Sequence, residues 1–256
     1  MEHINLVYFS AAGTTKTVAS ILADNLNTTK TEYDLLRNRP EQPITFGADT
    51  PAVFAVPVYS GRIPPLCVDI LKQFKSQQSP AVAVVVYGNR EYDDALLELA
   101  DILKANGFVV VAAAAFVGQH SIFPAVAEGR PDQKDQDAIK EFSQKCKAAF
   151  EGFTGKETVA IKGNTPYLNP SAIPLRPTGN SKCNACGTCV AICPTKAISA
   201  ETPRKTDKAR CISCTACIAA CPQRAKQFKG FLYSFAGNAF AKKNTSRKEP
   251  EYFYSK

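Results

Sequence analysis

Eight of the ten cysteines lie between residues 183 and 221, and they form two copies of one pattern. Cys183, Cys186, Cys189 and Cys193 are followed by Pro194; Cys211, Cys214, Cys217 and Cys221 are followed by Pro222, each 28 residues after its counterpart. Ala197 and Ala225 keep the same offset, so the segment is an internal duplication. Thiolates are soft ligands, and three of them two residues apart can wrap a tight loop around one iron–sulfur cubane. A fourth cysteine, three residues further on, has already turned away and is placed to reach a second cubane. Zinc and disulfides are the competing uses of paired cysteines. A tetrahedral zinc would leave most of these thiolates idle, and no charged and apolar leader precedes the chain, which implies a reducing compartment that disfavours disulfides.

That rule assigns Cys183, Cys186, Cys189 and Cys221 to one 4Fe-4S cluster, and Cys211, Cys214, Cys217 and Cys193 to the other. Small residues between the ligands (Ala185, Gly187, Thr188, Ser213, Thr215 and Ala216) let backbone N–H groups approach the sulfurs. Residues 181–227 resemble a bacterial two-cluster ferredoxin, and the resemblance implies a small α+β domain that passes single electrons. The charge is concentrated at this end. Residues 181–256 hold 14 Lys and Arg against 4 acids, whereas residues 1–180 hold 17 against 19, for a chain total of +8. Two readings stay open: compensation of the negative clusters, or a docking face for an acidic redox partner protein. A nucleic-acid partner is not expected, because no stacking platform or recognition module accompanies the charge.

Such a segment needs only part of 256 residues, so a larger domain must fill the front. Residues 4–9 form an apolar run, then Ser10-Ala11-Ala12-Gly13-Thr14-Thr15-Lys16, then a helical pattern over 17–26. A strand, a hydroxyl-rich loop and a helix start make an anion site through backbone N–H groups and the helix dipole. Further strands are predicted at 32–36, 52–56, 81–87 and 108–116, with helices at 66–74, 94–106 and 132–150, Asp132 being a candidate cap. This alternation predicts an α/β doubly wound parallel sheet of five strands, with its ligand beyond the strands' carboxyl ends. The loops there, Pro57-Val58-Tyr59-Ser60-Gly61-Arg62 and Gly88-Asn89-Arg90-Glu91-Tyr92-Asp93, put aromatic rings beside glycine, as a flat heterocycle requires.

The three loops together resemble those of a flavodoxin over residues 1 to about 150, and the resemblance implies FMN and the strand order 2-1-3-4-5. On it, Ser10, Ala11, Ala12, Gly13, Thr14 and Thr15 match the phosphate loop, Val58, Tyr59, Ser60 and Gly61 the first flavin-flanking loop, and Gly88, Asn89 and Tyr92 the second, with Tyr59 and Tyr92 as stacking rings. Thr14 stands where common flavodoxins have Asn. The chain as a whole resembles the bacterial flavodoxin–ferredoxin fusions.

The expected domains are 1–153 (FMN-binding), 154–180 (a Pro-rich linker, stiff or packed across the front domain), 181–227 (two clusters) and 228–256 (a basic, aromatic tail). His120 is either a residue near the flavin or a polar loop residue. The aromatic stretch 228–240 either covers the domain seam, shields a cluster or lies on a membrane, and Cys67 and Cys146 are expected as buried thiols. No run approaches the roughly 18 to 20 apolar residues of a spanning helix, so a soluble, cytoplasmic protein is expected. Three functions fit: an electron carrier between two-electron FMN and one-electron clusters, an FMN-dependent reductase of a small acceptor (quinone, nitro compound or metal complex), and an iron–sulfur redox sensor.

Overall fold

The computed structural model describes residues 1–171 and 173–255. Its front half alternates strands and helices: β1 (His3–Tyr8), α1 (Thr14–Asp24), β2 (Thr29–Asp34), β3 (Ile44–Phe46), β4 (Ala52–Pro57), α2 (Pro65–Leu71), β5 (Phe74–Ser76), β6 (Pro80–Tyr87), α3 (Ala95–Ala105), β7 (Val109–Val117) and α4 (Gln133–Glu151). After a long irregular stretch come β8 (Thr178–Gly179), α5 (Thr188–Ala191), α6 (Ala216–Ala219), β9 (Lys226–Gln227), α7 (Phe231–Lys243) and β10 (Glu251–Tyr254).

The main sheet runs β2-β1-β4-β6-β7-β10. Its first five strands are parallel and stand in the expected order. All eight residues of β6 and eight of the nine in β7 are buried, as strands covered on both faces must be. One face packs on α1 and α4 through Val18, Leu22, Ile139, Phe142 and Cys146. The other packs on α2 and α3 through Cys67, Leu71, Leu96, Leu99 and Leu103, around an aromatic cluster of Phe46, Phe54, Phe74 and Phe108. Asp132 caps α4 by accepting from Asp135 N, and Asp135 returns the bond to Asp132 N. Cys67 and Cys146 are buried, and burial raises both thiols.

Two features concern residues after 153. The Pro-rich stretch does not stand away from the front domain but packs across it, one of its two expected arrangements. It is strapped along α3, where the Asp94 carboxylate accepts from Asn164 N (2.8 Å), Asn164 Nδ2 (3.1 Å) and Leu168 N (2.6 Å), and Tyr167 Oη donates to Asp101 (2.6 Å). Burial alone would raise the Asp94 carboxyl, but these donors and the Arg62 charge lower it. Nor do residues 251–254 dangle. They form β10, antiparallel to β7 with Glu251 opposite Ala115 and Tyr254 opposite Ala112, and so return the chain to the front sheet. The cysteine segment is therefore tied to the front domain on both its chain ends.

Candidate functional site

The duplication persists in the backbone. Ala185 and Ser213, Gly187 and Thr215, and Lys196 and Arg224 are pairs 28 apart, and all six have positive φ. The one-turn helices α5 and α6 keep the same offset. Ala197 N donates to Cys193 Sγ and Ala225 N to Cys221 Sγ, both at 3.2 Å. Left-handed conformations are unfavourable for residues other than glycine, and they recur here because they turn N–H groups toward a common centre.

Two small cavities follow. One is walled by Cys183, Cys186, Cys189 and Cys221, the other by Cys193, Cys211, Cys214 and Cys217. The fourth cysteine of each run thus faces the first three of the other. Soft thiolates around a mostly apolar pocket, with N–H donors already aimed at sulfur, fit an iron–sulfur cubane. The two pockets differ. Cys186 is exposed, and Lys226 joins its wall with Nζ turned to Arg204 O, Lys205 O and Thr206 Oγ1. At the second, Cys214 and Cys217 are buried and Ile198 occupies the place equivalent to Lys226.

A larger cavity lies beyond the carboxyl ends of β1, β4, β6 and β7, enclosing about 670 Å³ that opens to solvent. Ala11, Ala12, Thr14 and Thr15 form one wall, Val58, Tyr59 and Ser60 the next, and Tyr87, Gly88 and His120 a third. The first wall turns through Gly13, at φ 97°, into α1, whose N-terminus carries no side-chain cap. Ser10 Oγ instead accepts from Lys16 N (3.0 Å) and shapes the loop from behind. The second wall is a tight turn. Tyr59 and Arg62 exchange both backbone hydrogen bonds, with Ser60 and Gly61 at φ 51° and 83° between them. Gly61 lines a neighbouring hollow that opens from the same cavity. Gly88 and Gly118 are required by close approach, since a Cβ on either would overlap His120 or Thr14.

The roof comes from the other half of the chain: Ile173 of the strap, and Ile212 and Ser213, which sit between Cys211 and Cys214. Tyr59 ties floor to roof by donating from Oη to Cys214 O (3.5 Å), and burial raises its phenol well above the ordinary value. Cys214 and Ala216 belong to the same apolar cluster as α2 and α3. The cavity and the more buried cysteine pocket thus share one loop.

Two expectations for the second flavin-flanking loop are not met. Tyr92 is fully buried outside the cavity, its ring 5.5 Å from Tyr87 and its Oη donating to Glu251 Oε2 (2.8 Å). Asn89 is consumed by the returning chain, donating to Asn244 O (3.0 Å) and Ser246 O (2.8 Å) and accepting from Lys248 N (3.1 Å). The rings on the wall are Tyr59, Tyr87 and His120. His120 Nδ1 accepts from Ile122 N and Phe123 N, so Nε2 carries the proton of the neutral ring. Burial lowers its pKa to about 4, which keeps it neutral near pH 7. Tyr87 was legible only as a strand residue, and Ile173, Ile212 and Ser213 as parts of other segments.

Residues 137–233 match the family described as a 4Fe-4S dicluster domain. No curated protein matches the chain. Among solved structures it is similar to a flavodoxin from the domain Archaea (12% identity over 58% of this chain and 99% of that one, TM-score 0.42). It is also similar to a short-chain flavodoxin associated with a non-canonical PDU bacterial microcompartment (19% identity, 58% and 99%, TM-score 0.43). A third is the rubredoxin oxygen:oxidoreductase from Desulfovibrio gigas, of which the match spans 36% (16% identity, 59% of this chain, TM-score 0.44). By its own strand order the front domain has a flavodoxin-like sheet, and the matched segment adds a 4Fe-4S dicluster domain.

Proposed function

We propose that this chain is an electron-transfer protein that holds FMN in the cavity beyond the strands' carboxyl ends and a 4Fe-4S cluster in each cysteine pocket. The observation that carries the reading is the shared loop: Ile212 and Ser213 roof the cavity, and the flanking Cys211 and Cys214 wall a cysteine pocket. A flavin accepts electrons in pairs or singly and a cubane accepts one, so this pairing couples two-electron to one-electron chemistry. Ala11, Ala12, Thr14 and Thr15 would hold the phosphate at the start of α1. Tyr59, Tyr87 and His120 would flank the ring, and Ile173 and Ile212 would exclude water from it.

Anaerobic reconstitution with iron, sulfide and FMN tests the reading. The full chain is expected to hold one FMN and about eight irons. Cys193→Ala is expected to lose the cluster signal of Cys211, Cys214 and Cys217 and to keep the other. Loss of the Cys183, Cys186 and Cys189 cluster instead would overturn the ligand assignment, and failure of the full chain to retain FMN would overturn the flavin. A reductase reading draws on one further feature, an apolar hollow of about 890 Å³, open to solvent, beside Tyr59 and lined by Ile63, Val68, Ile173 and Ile212. Rapid reoxidation of the reduced chain by a soluble naphthoquinone would favour it over the carrier reading.

A further inference from the structure

Among the described residues, Phe231, Leu232 and Phe235 have 85%, 57% and 64% of their surface exposed, and all three lie at the start of α7. Spacing of one and four residues puts them on one side of the helix, where the Phe231 and Phe235 rings stack with centroids 6.0 Å apart. The other side is anchored. Tyr233 Oη donates to Ile122 O (2.9 Å) and its ring stacks on Phe123 and Phe228, while Phe240 packs edge-on against His120. The exposed face totals on the order of 400 Å². That suits the apolar centre of an interface burying about 800 Å² per partner.

The charge around it is uncommitted. Between residues 181 and 255, the described ion pairs use only Arg210, Arg247 and Lys248. Arg204 and Lys226 serve the cysteine loops, with Arg204 donating to Cys183 O and Lys226 to Arg204 O. Lys229, Lys242 and Lys243 bracket α7 and have neither kind of partner among the described residues. The helix begins five residues after Lys226, which walls the pocket of Cys183, Cys186, Cys189 and Cys221. Five residues reach at most roughly 18 Å, so the patch stands beside the more exposed cysteine pocket.

We propose that Phe231, Leu232 and Phe235, ringed by Lys229, Lys242 and Lys243, form the docking surface for an acidic redox protein that presents an apolar spot bordered by carboxylates. The partner's redox character rests on the electron-transfer reading above; the surface itself does not. A second copy fits poorly, because a two-fold contact would set the same lysines against one another. A lipid surface fits poorly too, because the exposed apolar face covers about one turn of the helix instead of running along it.

The test is calorimetric titration of the reconstituted full chain with oxidised cytochrome b5, an acidic probe, at low salt. Binding that weakens with salt and carries a negative heat-capacity change is expected. Phe231→Ser/Leu232→Ser/Phe235→Ser should weaken it at least tenfold and shrink the heat-capacity change. Lys229→Glu/Lys242→Glu/Lys243→Glu should weaken it similarly and flatten its salt dependence. Affinities within twofold of wild type in both variants, or no binding by wild type, would overturn the proposal. So would a drop in sedimenting mass caused by the serine variant, which points to a second copy. Co-sedimentation with phosphatidylserine vesicles that the serine variant abolishes would overturn it in favour of a membrane. Because both proteins are oxidised, affinity that follows the patch upholds the surface even if the reduced chain then fails to pass electrons, an outcome that defeats only the electron-transfer reading.

Discussion

At the scale of single residues, the two cysteine pockets are near copies that differ where it matters for potential. Lys226 stands in one wall, and its counterpart by the 28-residue repeat is Ile198. A reduced cubane carries one more negative charge than an oxidised one, so a nearby cation and access to solvent favour reduction, and burial among apolar groups opposes it. The pocket of Cys183, Cys186, Cys189 and Cys221 should therefore hold the cluster of higher potential. Lys226→Gln should lower that potential by several tens of millivolts and the other by less, since the Lys226 charge also reaches Cys217, as potentiometric titration followed by EPR would show. Equal shifts at both clusters would mean that Lys226 acts through overall charge. The gathering of the cysteines into two groups was legible because a 2, 2, 3 spacing is itself a geometric constraint. The placement of Tyr92 was not legible, for the opposite reason: no local signal tells whether a loop tyrosine turns out to a ligand or in toward Glu251, 159 residues away.

Among the elements, β10 is the one that alters how the molecule is assembled. It covers the outer edge of β7, an edge that would otherwise present unpaired N–H and C=O groups. Tyr252 stacks on Phe142 at 5.4 Å and meets Phe116 at 5.9 Å, and Glu251 accepts from Tyr92 Oη and from Lys162 Nζ (2.8 Å). Tyr252→Ala should cost about 2 kcal/mol, below the value for a fully buried ring because Tyr252 is only half-buried. Ending the chain after Pro250 should strip hydrogen-exchange protection from the amides of Ala113 and Ala115, which face β10, and promote aggregation. Protection unchanged by the truncation would show that β10 contributes nothing to the sheet. Four residues reading Glu-Tyr-Phe-Tyr are too short for periodicity to speak, and only the open edge of β7 makes them a strand.

For the whole molecule, the consequence is linkage between cofactors. The loop that would close over FMN is the loop that Cys211 and Cys214 hold, so a cluster bound there orders the flavin's roof, and a flavin bound below supports that loop in return. On the proposed cofactor assignment, removing the clusters should weaken FMN binding roughly tenfold, within the usual range for coupled sites. Quenching of FMN fluorescence by cluster-loaded and cluster-free protein measures it. Identical affinities would mean that Ile212 and Ser213 touch the cavity without supporting it. The strap along Asp94 and the return of the chain through Asn89 and β10 fix the two halves together, which makes this coupling more than a matter of a shared linker.

By itself the sequence determined the elements whose cause is local. The parallel character of the five strands follows from apolar runs alternating with helical patterns, their order is what the resemblance to flavodoxins implies, and the grouping of the cysteines follows from spacing and duplication. Asp132 marks the start of α4 because a capping residue acts within one turn. What only the tertiary structure decided are relations between distant segments: that Ser213 faces Tyr59, that Asn89 is spent on residues 244 to 248, that the Pro-rich stretch lies on α3, and that the last strand closes the first domain. Each depends on burial and hydrogen bonding between surfaces that come into existence only when both halves have folded. Propensity and spacing act over a few residues and carry no information about that meeting.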